Sequence, residues 1–237
     1  MNQFNQQQPA WISASTAETG ERVRAFIRSV YAWMAGGLAI TALASMWVVN
    51  SPAMQHLILG NPILMIILIV AEFGLVIAIS AGIRRFSAAT SASMFLVYSL
   101  FNGLTLSWIF FYYTRGDIMT AFITAAGMFG AMSVYGLVTK RDLTSIGSFF
   151  FMGLIGIVIC SIVNIFLHSS ALSFAVSVLG VFIFLGLTAW DNQKLKGYAL
   201  ASGGMQESLA IYGALALYLD FINLFLFLLR LFGGRRR

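Results

Sequence analysis

The stretch SLAIYGALALYLDFINLFLFLL, residues 208–229, decides how the chain is to be read. About 20 apolar residues cross the hydrocarbon of a bilayer, so this run is long enough to span one. At its midpoint stands Asp220, where an ionised carboxylate costs about 2.5–3.5 kcal/mol on insertion scales. Helical spacing puts Gly213, Ala216, Leu217, Asp220, Asn223, Leu224 and Phe227 on one face. The opposite side is almost wholly Leu, Ile and Phe. A small, polar stripe on an apolar helix wants protein or water against it rather than lipid. The run reads as a central helix with Asp220 as its functional group.

Of the 237 residues, 59% are hydrophobic and only 9% charged, which excludes an ordinary soluble domain. Residues 1–20 are rich in Gln, Asn, Ser and Thr without an apolar period, and read as a disordered tail ahead of one membrane domain over 21–237. No secretory signal is expected, because the first residues are polar and no short apolar core with a small-residue cleavage site follows. The single cysteine, Cys160, lies inside an apolar run. It reads as a buried, inert thiol that rules out an intrachain disulfide and suggests no metal cluster. The net charge of +6 raises nucleic acid as a partner, but the basic residues sit in short segments beside the apolar runs. That is the distribution of membrane topology, and no nucleic-acid partner is expected.

Six further spans precede the last one: Ser29–Val49, Pro62–Ile83, Ser91–Tyr113, Ile118–Val138, Gly147–Leu167 and Leu172–Trp190. Asn50, Ser51 and Pro52 end the first, and Pro62 suits a helix start. The loops are short, so consecutive spans should be antiparallel neighbours. No internal repeat supports an inverted-repeat transporter. With the N-terminus inside, the inner segments hold nine Lys and Arg and the outer loops only Arg115. Arg230 and Arg235 to Arg237 follow span seven and conflict with that count, so the side of the C-terminal tail stays open. Ala126, Gly127, Gly130 and Ala131 on span four, and Gly153 and Gly156 on span five, have small-xxx-small spacing that marks close helix packing.

Three of the eight acids lie in or at the membrane away from loops: Glu72, Asp191 and Asp220. Intramembrane acids are expected on ion or proton pathways. The other reading of each is a structural carboxyl that holds helices together. If span seven starts near Ser208, Asp220 lies about 18 Å along it, and Asp191 is about 8 Å from Lys196, so spacing alone does not bring the two aspartates together.

The segments ALYLDFINLFLFLLRLFG, LTAWDNQKLK and AGMFGAMSVYGLVTKRDL resemble the Bax inhibitor-1 (transmembrane Bax inhibitor motif) family, closest to its bacterial inner-membrane branch. The resemblance covers essentially the whole chain after residue 20, and Leu219-Asp220-Phe221-Ile222-Asn223-Leu224-Phe225 is its most specific part. It implies an all-α integral membrane protein of seven transmembrane helices, multi-pass in the bacterial inner membrane with the N-terminus cytoplasmic, the last helix wrapped by the other six. It also implies a pH-sensitive calcium leak with an aspartate on helix six and another on helix seven as latch and sensor. Those positions match Asp191 and Asp220, which would also make a weak calcium contact. An arginine at the end of helix two, either Arg84 or Arg85, is expected to pair with them. Glu72 matches an acid within helix two, and Glu72, Asp220 and Asn223 would line the ion path. Calcium is then the permeant ion, and no cofactor is expected.

Two carboxyls sharing a confined site resist holding two charges and titrate as a unit. One shared proton would clamp helices six and seven; its loss would leave repelling charges and open a path, a pH-biased two-state movement. Carboxylates are hard oxygen ligands for calcium but too few here for a tight site. Two rival classes are weighed. Intramembrane aspartyl proteolysis needs Gly-x-Gly-Asp, whereas Tyr218 and Leu219 precede Asp220, so no enzyme is expected. A regulatory protein that binds other membrane proteins, among them a membrane-anchored AAA protease, is the alternative function, with the tail Met1–Gly20 as its recognised segment.

Overall fold

The computed structural model describes residues 10–82, 85–201 and 206–233. Nine helices follow one another among them: α1 (Ala10–Asn50), α2 (Pro52–Ile58), α3 (Pro62–Ala81), α4 (Ala88–Leu106), α5 (Ile109–Tyr112), α6 (Arg115–Val138), α7 (Thr144–Leu167), α8 (Ser170–Ala201) and α9 (Gln206–Phe232). Seven stretches of the described residues are long and apolar enough to cross a membrane, one each in α1, α3, α4–α5, α6, α7, α8 and α9. The all-α, seven-span reading therefore holds, with α2 as a short turn of helix between the first two spans.

Helix ends follow local chemistry. Asn61 caps α3 by accepting from Leu64 N at 3.1 Å, with Pro62 in the first turn. Ser87 caps α4 through Thr90 N at 3.1 Å. Thr114 and Asp117 form a reciprocal capping box at the start of α6. The third span breaks after Leu106, where the Ser107 hydroxyl donates to Leu104 O at 2.6 Å and competes with the helical ladder.

Two boundaries differ from the sequence reading. α1 starts at Ala10, so residues 10–20 of the expected tail carry helical backbone; residues 1–9 lie outside the described residues. α8 continues to Ala201 rather than ending near Trp190. Hydropathy registers only the loss of apolar residues in DNQKLK, whereas the fold gives these polar groups protein partners. Gln193 accepts from Leu143 N at 2.8 Å and donates to Arg141 O at 2.7 Å, and Lys196 Nζ donates to Leu137 O at 3.0 Å.

The core gathers around α9, which packs against α8, α1, α6, α4 and, more lightly, α3, while α7 rests on α8. Leu215, Leu217, Tyr218, Leu224 and Leu229 on α9 are among the largest fully buried side chains. The apolar window of α9 is 56% buried, that of α4–α5 equally so, and that of α7 only 6%. The centre is thus shared by two helices, and α7 is a peripheral, lipid-facing span.

The small residues of span four do not mark its contacts. Gly127 and Gly130 face open space, and Ala126 and Ala131 are exposed. On span five Gly156 is likewise open, and Gly153 touches Ile183. The close approaches occur elsewhere: a Cβ at Gly136 would collide with the Ala189 carbonyl of α8, and one at Gly103 would come within 2.5 Å of Thr41 O on α1. Cys160 is exposed on α7 rather than buried.

Candidate functional site

The helical extension of α8 is what brings the two aspartates together. Asp191 lies ten residues before Ala201, about 15 Å along α8, and Asp220 fourteen residues after Gln206, about 21 Å along α9. In an antiparallel hairpin those heights agree to about one helical turn. Asp220 is 5% exposed, and its Oδ2 is the buried side-chain oxygen left without a hydrogen-bond partner among the described residues. The Asp220 carboxyl interacts with the Asp191 carboxyl and with the Lys194 ammonium. Lys194 stands one turn beyond Asp191, 5.0 Å from the centre of the Trp190 ring and 5.8 Å from those of Tyr198 and Tyr212.

Beside the pair, Asn192 is fully buried and ties three helices. It accepts from Tyr31 Oη of α1 at 2.6 Å and donates to Ser133 Oγ of α6 at 3.2 Å and to Thr188 O at 2.8 Å. Gly136, one turn after Ser133, lets α6 approach α8 at this level. Hydrogen bonds thus tie the helices around the carboxyl pair, while Asp220 Oδ2 has no partner among the described residues.

Glu72 is not part of this cluster. Its Oε1 accepts from Thr105 Oγ1 at 2.7 Å and its Oε2 from Asn102 Nδ2 at 3.0 Å. Asn102 Oδ1 in turn accepts from Tyr218 Oη at 2.9 Å, and Tyr218 Oη lies 2.6 Å from Thr41 Oγ1. This string joins α3, α4, α9 and α1. Asn223 bonds its own helix through Leu219 O at 2.8 Å and turns toward Phe227 and α7. Arg85 is exposed in the loop after α3 and makes no ion pair among the described residues; Arg84 lies outside them. The cation set beside the carboxyls is Lys194. Among the described residues no group of three or more His, Cys, Asp or Glu could hold a metal, so the aspartates offer calcium two carboxyls at most.

Sequence reasoning missed Lys194, Asn192 and the Asn102–Tyr218–Thr41 string. A signal existed for Lys194, which lies on the Asp191 face once the helix is allowed to continue. Tyr218 also carried one, as a tyrosine at mid-span rather than at a membrane interface.

Seven apolar helices with ionisable groups held inside the bundle define a multi-pass integral membrane protein. Residues 23–237 match the family described as inhibitor of apoptosis-promoting Bax1, and the chain belongs to this Bax inhibitor-1 family. It is 47% identical over 228 residues to the inner membrane protein YbhL of Escherichia coli, covering 94% of this chain and 97% of that one. A protein of Deinococcus radiodurans is 44% identical over 228 residues, covering 94% and 96% of the two chains. One from Caulobacter vibrioides is 37% identical over 252 residues and covers 100% of both.

Proposed function

We propose that the protein is a pH-sensitive calcium leak channel of the bacterial inner membrane, N-terminus cytoplasmic, gated by protonation of the Asp191/Asp220 pair. The observation that carries this reading is the buried Asp220 carboxyl with an unpartnered oxygen, beside a second carboxyl and an ammonium. A buried polar oxygen without a partner is costly, so the group favours any rearrangement that supplies one. A proton shared with Asp191 supplies it and clamps α8 to α9. Loss of that proton leaves two like charges with only Lys194 to balance them, and the helices part. Calcium passes along the carboxyls without a site tight enough to retain it. The inner-membrane location is supported by the likeness to YbhL, an inner membrane protein. No catalytic step is involved, and calcium is cargo.

The test is calcium flux into liposomes containing wild type, Asp191→Asn or Asp220→Asn, from mildly acidic to mildly alkaline pH. Wild-type flux is expected to rise as the pair loses its proton, and both variants to lose that dependence. Identical flux and pH profiles in all three would remove the aspartate latch. The regulatory alternative is separated by deleting residues 1–20: a leak keeps its flux, whereas an adaptor that binds a membrane-anchored protease loses that partner.

A further inference from the structure

At the edge of the bundle where α7 ends and α8 begins, a cavity of about 270 Å³ is lined by Ser161, Asn164, Ser173 and Arg230. It runs into a second hollow of about 250 Å³ between α7, α8 and α9, lined mainly by apolar groups such as Ile157, Ile162, Phe184 and Phe227. Arg230 borders both. All eight acids of the chain are among the described residues, and none lies within 4.0 Å of Arg230. Its guanidinium lies 5.5 Å from the centre of the Phe227 ring and makes no hydrogen bond among the described residues. This is a cation with five donors and no counter-charge among the described residues.

The groups around it are donors as well. Asn164 Nδ2 gives one hydrogen to Ser173 Oγ at 2.6 Å and keeps a second. The Ser173 hydroxyl accepts that bond and has its own hydrogen unspent among the described residues. The left-handed His168 at the end of α7 (φ 50°) and the bond from Ser169 N to Asn164 Oδ1 at 3.0 Å fix the corner that holds these side chains. Arg230 and Asn164 stand in the last turns of their helices and Ser173 in the first turn of α8. The polar cavity thus lies at the height of lipid headgroups, with the apolar hollow deeper in the membrane. Ser161 and Ile162 place the opening on α7, the most lipid-exposed span.

We infer that this groove binds an anionic phospholipid, its phosphodiester on Arg230, Asn164 and Ser173 and the start of an acyl chain between α7 and α9. A guanidinium matches phosphate oxygens bidentately, and a headgroup without an ammonium leaves no competing cation. A free phosphate satisfies only the upper half of the groove.

Full-length protein in detergent is incubated with dioleoylphosphatidylglycerol and bound lipid is counted by native mass spectrometry. Wild type should retain one lipid. Arg230→Gln should weaken retention at least about tenfold, as expected for a lost charge-assisted contact, and Arg230→Lys less. Ser161→Trp, which fills the groove from its exposed rim, should also abolish retention while the melting temperature stays near wild type. Dioleoylphosphatidylcholine and inorganic phosphate should compete poorly. Equal retention by Arg230→Gln or by Ser161→Trp overturns the proposal. So does equal retention of phosphatidylcholine, or displacement of the lipid by inorganic phosphate, which would make this a free-anion site.

Discussion

Two carboxyl sites occupy the same bundle and are built in opposite ways. Glu72 has a donor on each oxygen, and those donors are themselves bonded, so its string behaves as a finished structural element joining α3, α4, α9 and α1. Asp220 is more deeply buried, yet its Oδ2 has no hydrogen-bond partner among the described residues, and its neighbours are a second carboxyl and the Lys194 ammonium. A satisfied buried network rigidifies, whereas an unsatisfied one stores a preference for change. In the proposed channel the difference separates a strut from a moving part, with the Glu72 string as the strut and the aspartate pair as the gate.

The sharpest way to break that contrast is a double substitution. If the aspartates act as one unit, Asp191→Asn with Asp220→Asn should abolish the pH dependence of flux no more completely than either alone. Additive effects in the liposome assay would mean independent groups. Next in size, Glu72→Gln sets an amide hydrogen against Asn102 Nδ2 or Thr105, and should lower unfolding stability by about 1–3 kcal/mol without moving the pH midpoint. A moved midpoint with unchanged stability would merge the two sites. Tyr218→Phe should cost about 1–2 kcal/mol by leaving Asn102 Oδ1 without its donor, read as a lower melting temperature in lipid nanodiscs. Lys194→Met should shift the flux midpoint to higher pH, because the cation favours the ionised pair; a shift to lower pH would remove it from the site.

The smallest effect belongs outside the membrane. The Asp142 carboxylate accepts from Thr144 N at 2.9 Å at the start of α7, and hydrogen bonds from Thr144 hold its pKa below the usual carboxylate value. A lowered native pKa means a contribution present above the unfolded value and lost as pH falls through the native one. Asp142→Ala should slightly lower the melting temperature at neutral pH, lose that deficit in acid, and leave calcium flux unaltered.

The seven spans were legible because apolar length is a strong signal and lipid punishes every interruption. The meeting of Asp191 with Asp220 was not, since it depends on α8 carrying DNQKLK through more helical turns. A hydropathy reading treats those residues as leaving the membrane; the partners that keep them in the helix, Leu143, Arg141 and Leu137, come from another part of the chain. The glycines of span four misled for a related reason. Spacing identifies a smooth face but not which neighbour meets it, and α6 approaches α8 through Gly136 instead. Glu72 announced itself as an intramembrane acid, but only the positions of Asn102 and Thr105 show that both its oxygens are occupied.

Tyr218 and Asp220 are two residues apart on one helix, so at about 100° per residue they project to well-separated sides of α9. Turning α9 about its axis to relieve the aspartate therefore pulls the tyrosine from Asn102 and Thr41. Under the proposed gating, the closed arrangement would gain a restoring torque from the far side of the same rod, and by reciprocity any change that loosens the tyrosine's grip would make the proton shared by the aspartates easier to lose.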